Sequence, residues 1–503
     1  MVRQKGPVWE HFQIIGKNDD SHPRIRCKYC SKEFKRAIPE RMRDHLNKKS
    51  EVKQKSLEFL LEKESALSFN LTNREEIKMQ IDDKSDEIFS GIRHLGYCYQ
   101  YGIETERNET RAFELYEEAV EKGDIYSIYQ LGYCYQHGIG TKKNEMKAFE
   151  LYKAAADMGH IVSIYNLGKC YEDGIGTEKN YDEAFKSYGK AAEKGHVISM
   201  YNLGLCYDIG LGTEVDVIKA FELYKKSAER GYLDSIHQLG YCYEVGMGTV
   251  KNEIKSFEIY KTASDKGHIV STYNLGKCYE DGIGTEKNEY KAFELYKKAA
   301  EKGHIISIYQ LGECYEDEIG TEKNAFEMYE EASNKGYITS TYRLGRCYQL
   351  GIGTEINRFK AFESYKKAAE NDHTISIYNL GKCYEFGIGT EKNGNKAFEL
   401  YEEAADKGYV TSTYRLGRCY QYGIGTKQNK NKAFELYKEA AEKGHISSMI
   451  KLGDCFQHGI GTEKNEMRAF ELFGKAADEG NFASVRRLVY CYQHGIGTEN
   501  DNL

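Results

Sequence analysis

Apolar positions recur along most of this chain in two helical rhythms that take turns. In residues 160–195, HIVSIYNLGKCYEDGIGTEKNYDEAFKSYGKAAEKG, Ile164, Leu167 and Tyr171 fall on one face of a first helix, with Gly168 and Cys170 beside them. Gly174 follows, the residue type that most easily ends a helix in the left-handed conformation. GIGT then reads as a turn. Asn180 suits a helix N-cap, and Glu183 stands three residues on, the capping-box spacing. Ala184, Phe185, Tyr188, Ala191 and Ala192 form the apolar stripe of a second helix, which Gly195 closes. Gly168 and the alanines have little side chain, so the two helices can approach closely.

The pair recurs. Cys98, Cys134, Cys170, Cys206, Cys242, Cys278 and Cys314 lie 36 residues apart; Cys347 follows after 33; Cys383, Cys419, Cys455 and Cys491 resume the 36-residue step. A fixed period of this length marks a repeat array, in which each unit buries its apolar face against its neighbours. The segment Tyr165-x-Leu167-Gly168-x-Cys170-Tyr171, Gly174-x-Gly176 and the stretch Ala184 to Ala192 resemble the Sel-like repeat, a relative of the tetratricopeptide repeat. The resemblance implies an all-α fold, an α-solenoid of helix-turn-helix units. There are about 11.5 of them, twelve first helices and eleven second ones. It also implies a scaffold or adaptor that holds a protein partner on a concave face lined by first helices.

Composition changes near residue 50. The three prolines (Pro7, Pro23, Pro39) and the single Trp9 all precede it. Residues 1–50 carry 13 Lys+Arg and 6 Asp+Glu, net +7, leaving 58 against 72, net −14, for the rest of the −7 chain. The expected domains are therefore a basic module at 1–50, a charged helical linker or cap at 51–88, and the array at 89–503. An acidic array argues against nucleic acid running along its length, whereas the basic end suits an anionic partner.

In the basic module, Cys27-Lys-Tyr-Cys30 precedes a stretch bearing Met42, His45 and Leu46. Thiolates and an imidazole in this order are a zinc-finger pattern, the ion replacing a core too small to fold alone. Trp9-x-x-Phe12, the CKYC knuckle and the Met-x-x-His-Leu helix resemble the BED-type zinc finger. Cys27, Cys30 and His45 are the expected zinc ligands. Ser50 stands where the family expects a fourth ligand, and a neutral serine binds zinc poorly. The site either uses His22, Glu51 or an external ligand, or the finger is losing its metal. The resemblance implies DNA contact. Lys35, Arg36, Arg41 and Arg43 flank or lie on the helix and can meet phosphates, or form a solvated basic face.

Two places break the array. In repeat seven, Glu318 replaces the helix-ending glycine and three residues are missing between Asn324 and Ala325. The expectation is that the second helix loses almost a turn and keeps its Asn cap. In repeat twelve, Val489 takes the place of the glycine corresponding to Gly168, and no second helix follows.

No catalytic constellation stands out, so the chain reads as non-enzymatic, without a small-molecule substrate. The GIGT loops lack the Gly-Lys-Ser/Thr ending of a phosphate loop. His160, His196, His268, His304 and His445 read as helix-start residues, and the repeated cysteines as small buried core thiols. No apolar stretch is long enough to span a bilayer and the start lacks a secretory h-region, which points to an intracellular protein, nuclear or cytoplasmic.

The informative positions are those that vary between repeats. Residues such as Val162, Asn166, Lys169 and Asp173, or Thr411, Arg415, Arg418 and Tyr422, share the face opposite the core stripe. On that face Asn166, Lys169, Asn274, Lys277, Arg343, Arg346, Asn379, Lys382, Arg415, Arg418, Lys451 and Arg487 are the expected peptide-binding residues, increasingly basic toward the C-terminal half. Such a row suits an acidic peptide segment; a solvated polar face is the alternative. A DNA-binding regulator, with the repeats as recruitment or oligomerisation arm, is the second functional reading.

Overall fold

The computed structural model describes residues 12–17, 23–27, 33–34, 87–317 and 322–497. The chain divides into two compact units, residues 1–287 and 288–503. Near the start, β1 (Phe12–Lys17), β2 (Pro23–Cys27) and β3 (Glu33–Phe34) form an antiparallel sheet in that order, with a bulge between Ile14 and Gly16. Cys27 ends β2, opposite Phe12, and Cys30 falls in sequence in the connection to β3. Cys30, Lys35, Arg36, Arg41, Arg43, His45 and Ser50 lie outside the described residues.

From Glu87 to His494 the described residues form 23 helices, alternating a helix A and a helix B. Capping chemistry fixes the boundaries. Asn180 accepts a hydrogen bond from the Glu183 backbone N–H, and Asn or Asp takes this role in helix after helix. The capping box is only half made: Asn180 N–H goes to the Tyr171 carbonyl and Glu183 pairs with Lys186. Helix A of repeat three (Ile161–Asp173) starts at His160, whose Nδ1 accepts from Ser163 N–H, and ends at Gly174 with φ 76°. The histidines are thus N-caps, as their positions suggested.

In repeats one to five and seven to ten, one pair locks helix A to helix B. The helix-B tyrosine is fully buried, and its ring lies against the helix-A glycine: a Cβ on Gly168 would sit 2.7 Å from Tyr188 Cε1. The Tyr188 hydroxyl donates to Glu172 on the same helix A at 2.5 Å; Tyr152–Gln136 and Tyr401–Glu385 repeat the bond. Successive repeats within a unit join through an edge-to-face ring pair, as Phe185–Tyr207 at 5.2 Å and Phe398–Tyr420 at 5.4 Å. The second turn glycine serves the same joint, since a Cβ on Gly176 would collide with the Glu145 carbonyl of the preceding repeat. Cys134, Cys170 and Cys206 are buried, and burial pushes their thiols up to about 12, so they remain protonated core groups.

Repeat seven departs from expectation. Its helix B (Glu322–Asn334) keeps a full 13 residues, and Asn324 lies within it rather than capping it. Helix A (Ile305–Glu316) ends at Asp317 in a conformation that is not left-handed. Packing sets this register: Ala325, Tyr329 and Ala332 are buried like their counterparts, and Tyr329 still reaches Glu316 at 2.7 Å. The missing residues come out of the turn, not the helix.

Candidate protein-binding face

Numbered from its first residue, helix A of repeats two to twelve carries the varying residues of the sequence at positions 2, 6, 9 and 13. Position 6 differs from the sequence expectation of a free basic row. Arg343 pairs with Glu313 and, at 3.4 Å, with Glu316 of the preceding repeat. Arg415 reaches back to Glu385 at 3.5 Å while its Nε is buried without a partner. Arg487 binds Asp454, which also takes Lys451 at 3.5 Å. These arginines staple neighbouring helices A. Burial and the facing Tyr309, Tyr329 and Glu313 act on Arg343, with the net effect of raising it, so it stays charged.

The asparagines are also engaged. Asn166 and Asn379 donate back to the carbonyls of Val162 and Ile375 at 3.0 and 2.8 Å, and Asn274 meets His237 Nε2 at 3.0 Å. Lys169 is held by Glu172 and Asp173. Four cations remain without an ion pair among the described residues: Lys277, Arg346, Lys382 and Arg418. Lys277 is exposed in the first unit, next to a helix end containing Glu280 and Asp281. The other three occupy position 9 of consecutive repeats in the second unit.

Leu350 and Phe386, at position 13, were not singled out by sequence reasoning. Both are exposed, as is Tyr422 in the following repeat. Their signal was available: each is the last residue before the helix-ending glycine, where other repeats carry Asp173 or Asp281.

Among the described residues, no group of three or more His, Cys, Asp or Glu could hold a metal ion, and no helix is long and apolar enough to cross a membrane. For zinc, the sequence offers Cys27, Cys30 and His45, donors of the right chemistry, with the fourth place open to His22, Glu51 or an external ligand. Zinc would tie the β2–β3 hairpin to the segment bearing His45.

Paired antiparallel helices, stacked through a repeated aromatic joint and a conserved turn geometry, define an α-solenoid of short helix-turn-helix units. The Sel1 repeat family model matches residues 90–481 in eleven consecutive units and 484–503 in a twelfth, and the chain belongs to this family. The BED zinc finger model matches residues 6–50. Among solved structures, the chain is similar to c5321, a protective antigen present in uropathogenic Escherichia coli strains displaying an SLR fold. The two are 29% identical, with a TM-score of 0.67 over 83% of this chain and 90% of that one. A Sel1 repeat protein from Oxalobacter formigenes is 30% identical over 44% of this chain and 89% of its own, with a TM-score of 0.40. No curated protein matches the sequence.

Proposed function

We propose that the chain is a non-enzymatic scaffold that binds a protein partner along its helix-A faces. The Sel1 repeat fold supports a protein-interaction role. The observation that carries the finer reading is the division of labour among the helix-A cations of repeats eight to ten: Arg343 and Arg415 at position 6 reach back to the preceding repeat, while Arg346, Lys382 and Arg418 at position 9 form no ion pair among the described residues. Selection of a random dodecapeptide library on the full chain tests it. Acidic binders should be enriched and should be lost on charge reversal at helix-A position 9. Binders that depend on helix B, or no enrichment, contradict it.

A second reading is favoured by the BED match at residues 6–50. In it, the chain is a DNA-binding regulator: the net +7 module contacts DNA through Lys35, Arg36, Arg41 and Arg43, with Cys27, Cys30 and His45 holding zinc, and the repeats serve as recruitment or oligomerisation arm. Full-length protein should then bind duplex DNA with an affinity that falls steeply with salt. Salt-insensitive or absent binding contradicts it.

A further inference from the structure

The inference rests on the scaffold reading and narrows it to three repeats and one ligand chemistry. In repeats eight, nine and ten, helix A spans Ile338–Leu350, Thr374–Phe386 and Val410–Tyr422. Position 9 is Arg346, Lys382 and Arg418. Position 13, one turn on, is Leu350, Phe386 and Tyr422, which are 55%, 44% and 55% exposed. Arg418 sits over the Tyr422 ring at 5.9 Å and Lys382 over Tyr378 at 5.6 Å. No carboxylate among the described residues lies within ion-pair distance of these three cations.

The pattern has sharp ends. In repeat seven the same positions are Glu313 and Asp317; in repeat eleven they are Asp454 and His458. Within the three helices, five cations (Arg343, Arg346, Lys382, Arg415, Arg418) face one carboxylate, Glu385. Glu385 has a side chain only 7% exposed, bound by Tyr401 and Arg415. The face is therefore basic and lined by exposed apolar groups.

Geometry selects the form of the partner. Helices A of neighbouring repeats are bridged by long side chains, as Arg415 to Glu385; taking the general helix-packing distance of about 8–10 Å as their spacing, successive cations recur at about that interval. Positions 9 and 13 are about 6 Å apart along a helix axis. The result is two parallel ladders, one cationic and one apolar. A polyproline II segment has three residues per turn and rises about 3.1 Å per residue, so every third side chain recurs at about 9 Å on one edge. We propose that these ladders bind an extended peptide segment with an acidic residue at every third position and an apolar residue beside each. Carboxylates would pair with Arg346, Lys382 and Arg418, and the apolar residues would cover Leu350, Phe386 and Tyr422.

The test uses the full chain and fluorescein-labelled (Asp-Leu-Pro)3, with (Asp-Ser-Pro)3 and (Lys-Leu-Pro)3 as controls, read by anisotropy. The first probe should bind at least tenfold tighter than either control. Arg346→Glu/Lys382→Glu/Arg418→Glu should weaken it at least tenfold, and so should Leu350→Ser/Phe386→Ser/Tyr422→Ser, with the helical circular dichroism unchanged. If a triple variant fails to fold, Lys382→Ala and Phe386→Ser singly should each weaken binding severalfold. Equal binding of the leucine and serine probes, or insensitivity to all these variants, overturns the proposal. If binding is instead lost on Lys169→Glu or Lys451→Glu, the scaffold reading stands and the three-repeat register falls. Absence of binding by every acidic probe, despite acidic peptides selected from the library, also overturns the proposal alone.

Discussion

At the scale of single residues, Gly168 shows how the motif works. A methyl group there meets the Tyr188 ring at 2.7 and 2.9 Å and Ser187 Cβ at 3.3 Å. The ring is sealed in the core and cannot yield. Gly168→Ala should cost about 1–3 kcal/mol, read as a lower urea midpoint at constant slope. Val489 occupies the equivalent position in the last described helix A, and there it is half exposed rather than pressed against a buried ring. A second residue, His160, gives a pH dependence. Burial first, and the Arg93 charge second, lower it to about 4 from its ordinary 6.5. The folded protein keeps it neutral, while the unfolded chain takes up a proton below 6.5. Its contribution is therefore complete above about pH 6.5 and is lost progressively as the pH falls to about 4, on the order of 3 kcal/mol in all. Asn481 caps the equivalent helix without titrating there. His160→Asn should keep the cap and make the pH–stability curve shallower between 6.5 and 4, leaving the share of other buried histidines such as His237, which burial also lowers to about 4; an unchanged curve contradicts this assignment.

Between elements, the account rests on bonds that tie each helix A to its own helix B and to the next repeat. Tyr188→Phe removes the hydroxyl bond to Glu172 and should cost about 0.5–1.5 kcal/mol by chemical unfolding; Phe473 shows that a repeat folds without it. Most helix boundaries, caps and apolar stripes were legible in the sequence because each follows from residues a turn or so apart, and the cysteine register was legible because the same unit recurs every 36 residues. Three features were not. Asn324 looked like a cap because its neighbours matched the motif, yet the buried row Ala325, Tyr329, Ala332 set the helix instead. Arg343 looked free because its partners Glu313 and Glu316 lie a repeat away, where no local spacing shows them. An acid at position 9 or 12 ahead of an arginine at position 6 of the next repeat was the available sign. The exposed Leu350 and Phe386 were passed over because an apolar residue before a helix-ending glycine looks like an ordinary end of the core stripe.

On the scale of the whole molecule, each repeat packs mainly on its neighbours in sequence, so stability should be close to a sum of local parts. Gly168→Ala and Gly417→Ala lie one in each compact unit and are met by different tyrosines, Tyr188 and Tyr437. Their costs should add to within about 0.5 kcal/mol in the double variant. Charge is distributed unevenly at this scale too: within a net −7 chain, position 9 of helix A carries a cation without an ion pair in three consecutive repeats, eight to ten. A charge swap measures whether that row reads a partner. Isothermal titration of the full chain with (Asp-Leu-Pro)3 and (Lys-Leu-Pro)3 is run on wild type and on Arg346→Glu/Lys382→Glu/Arg418→Glu. The account predicts that wild type binds the acidic peptide, and that the triple variant loses it and gains the basic one. If both proteins treat the two peptides alike, the position-9 row is not the recognition surface.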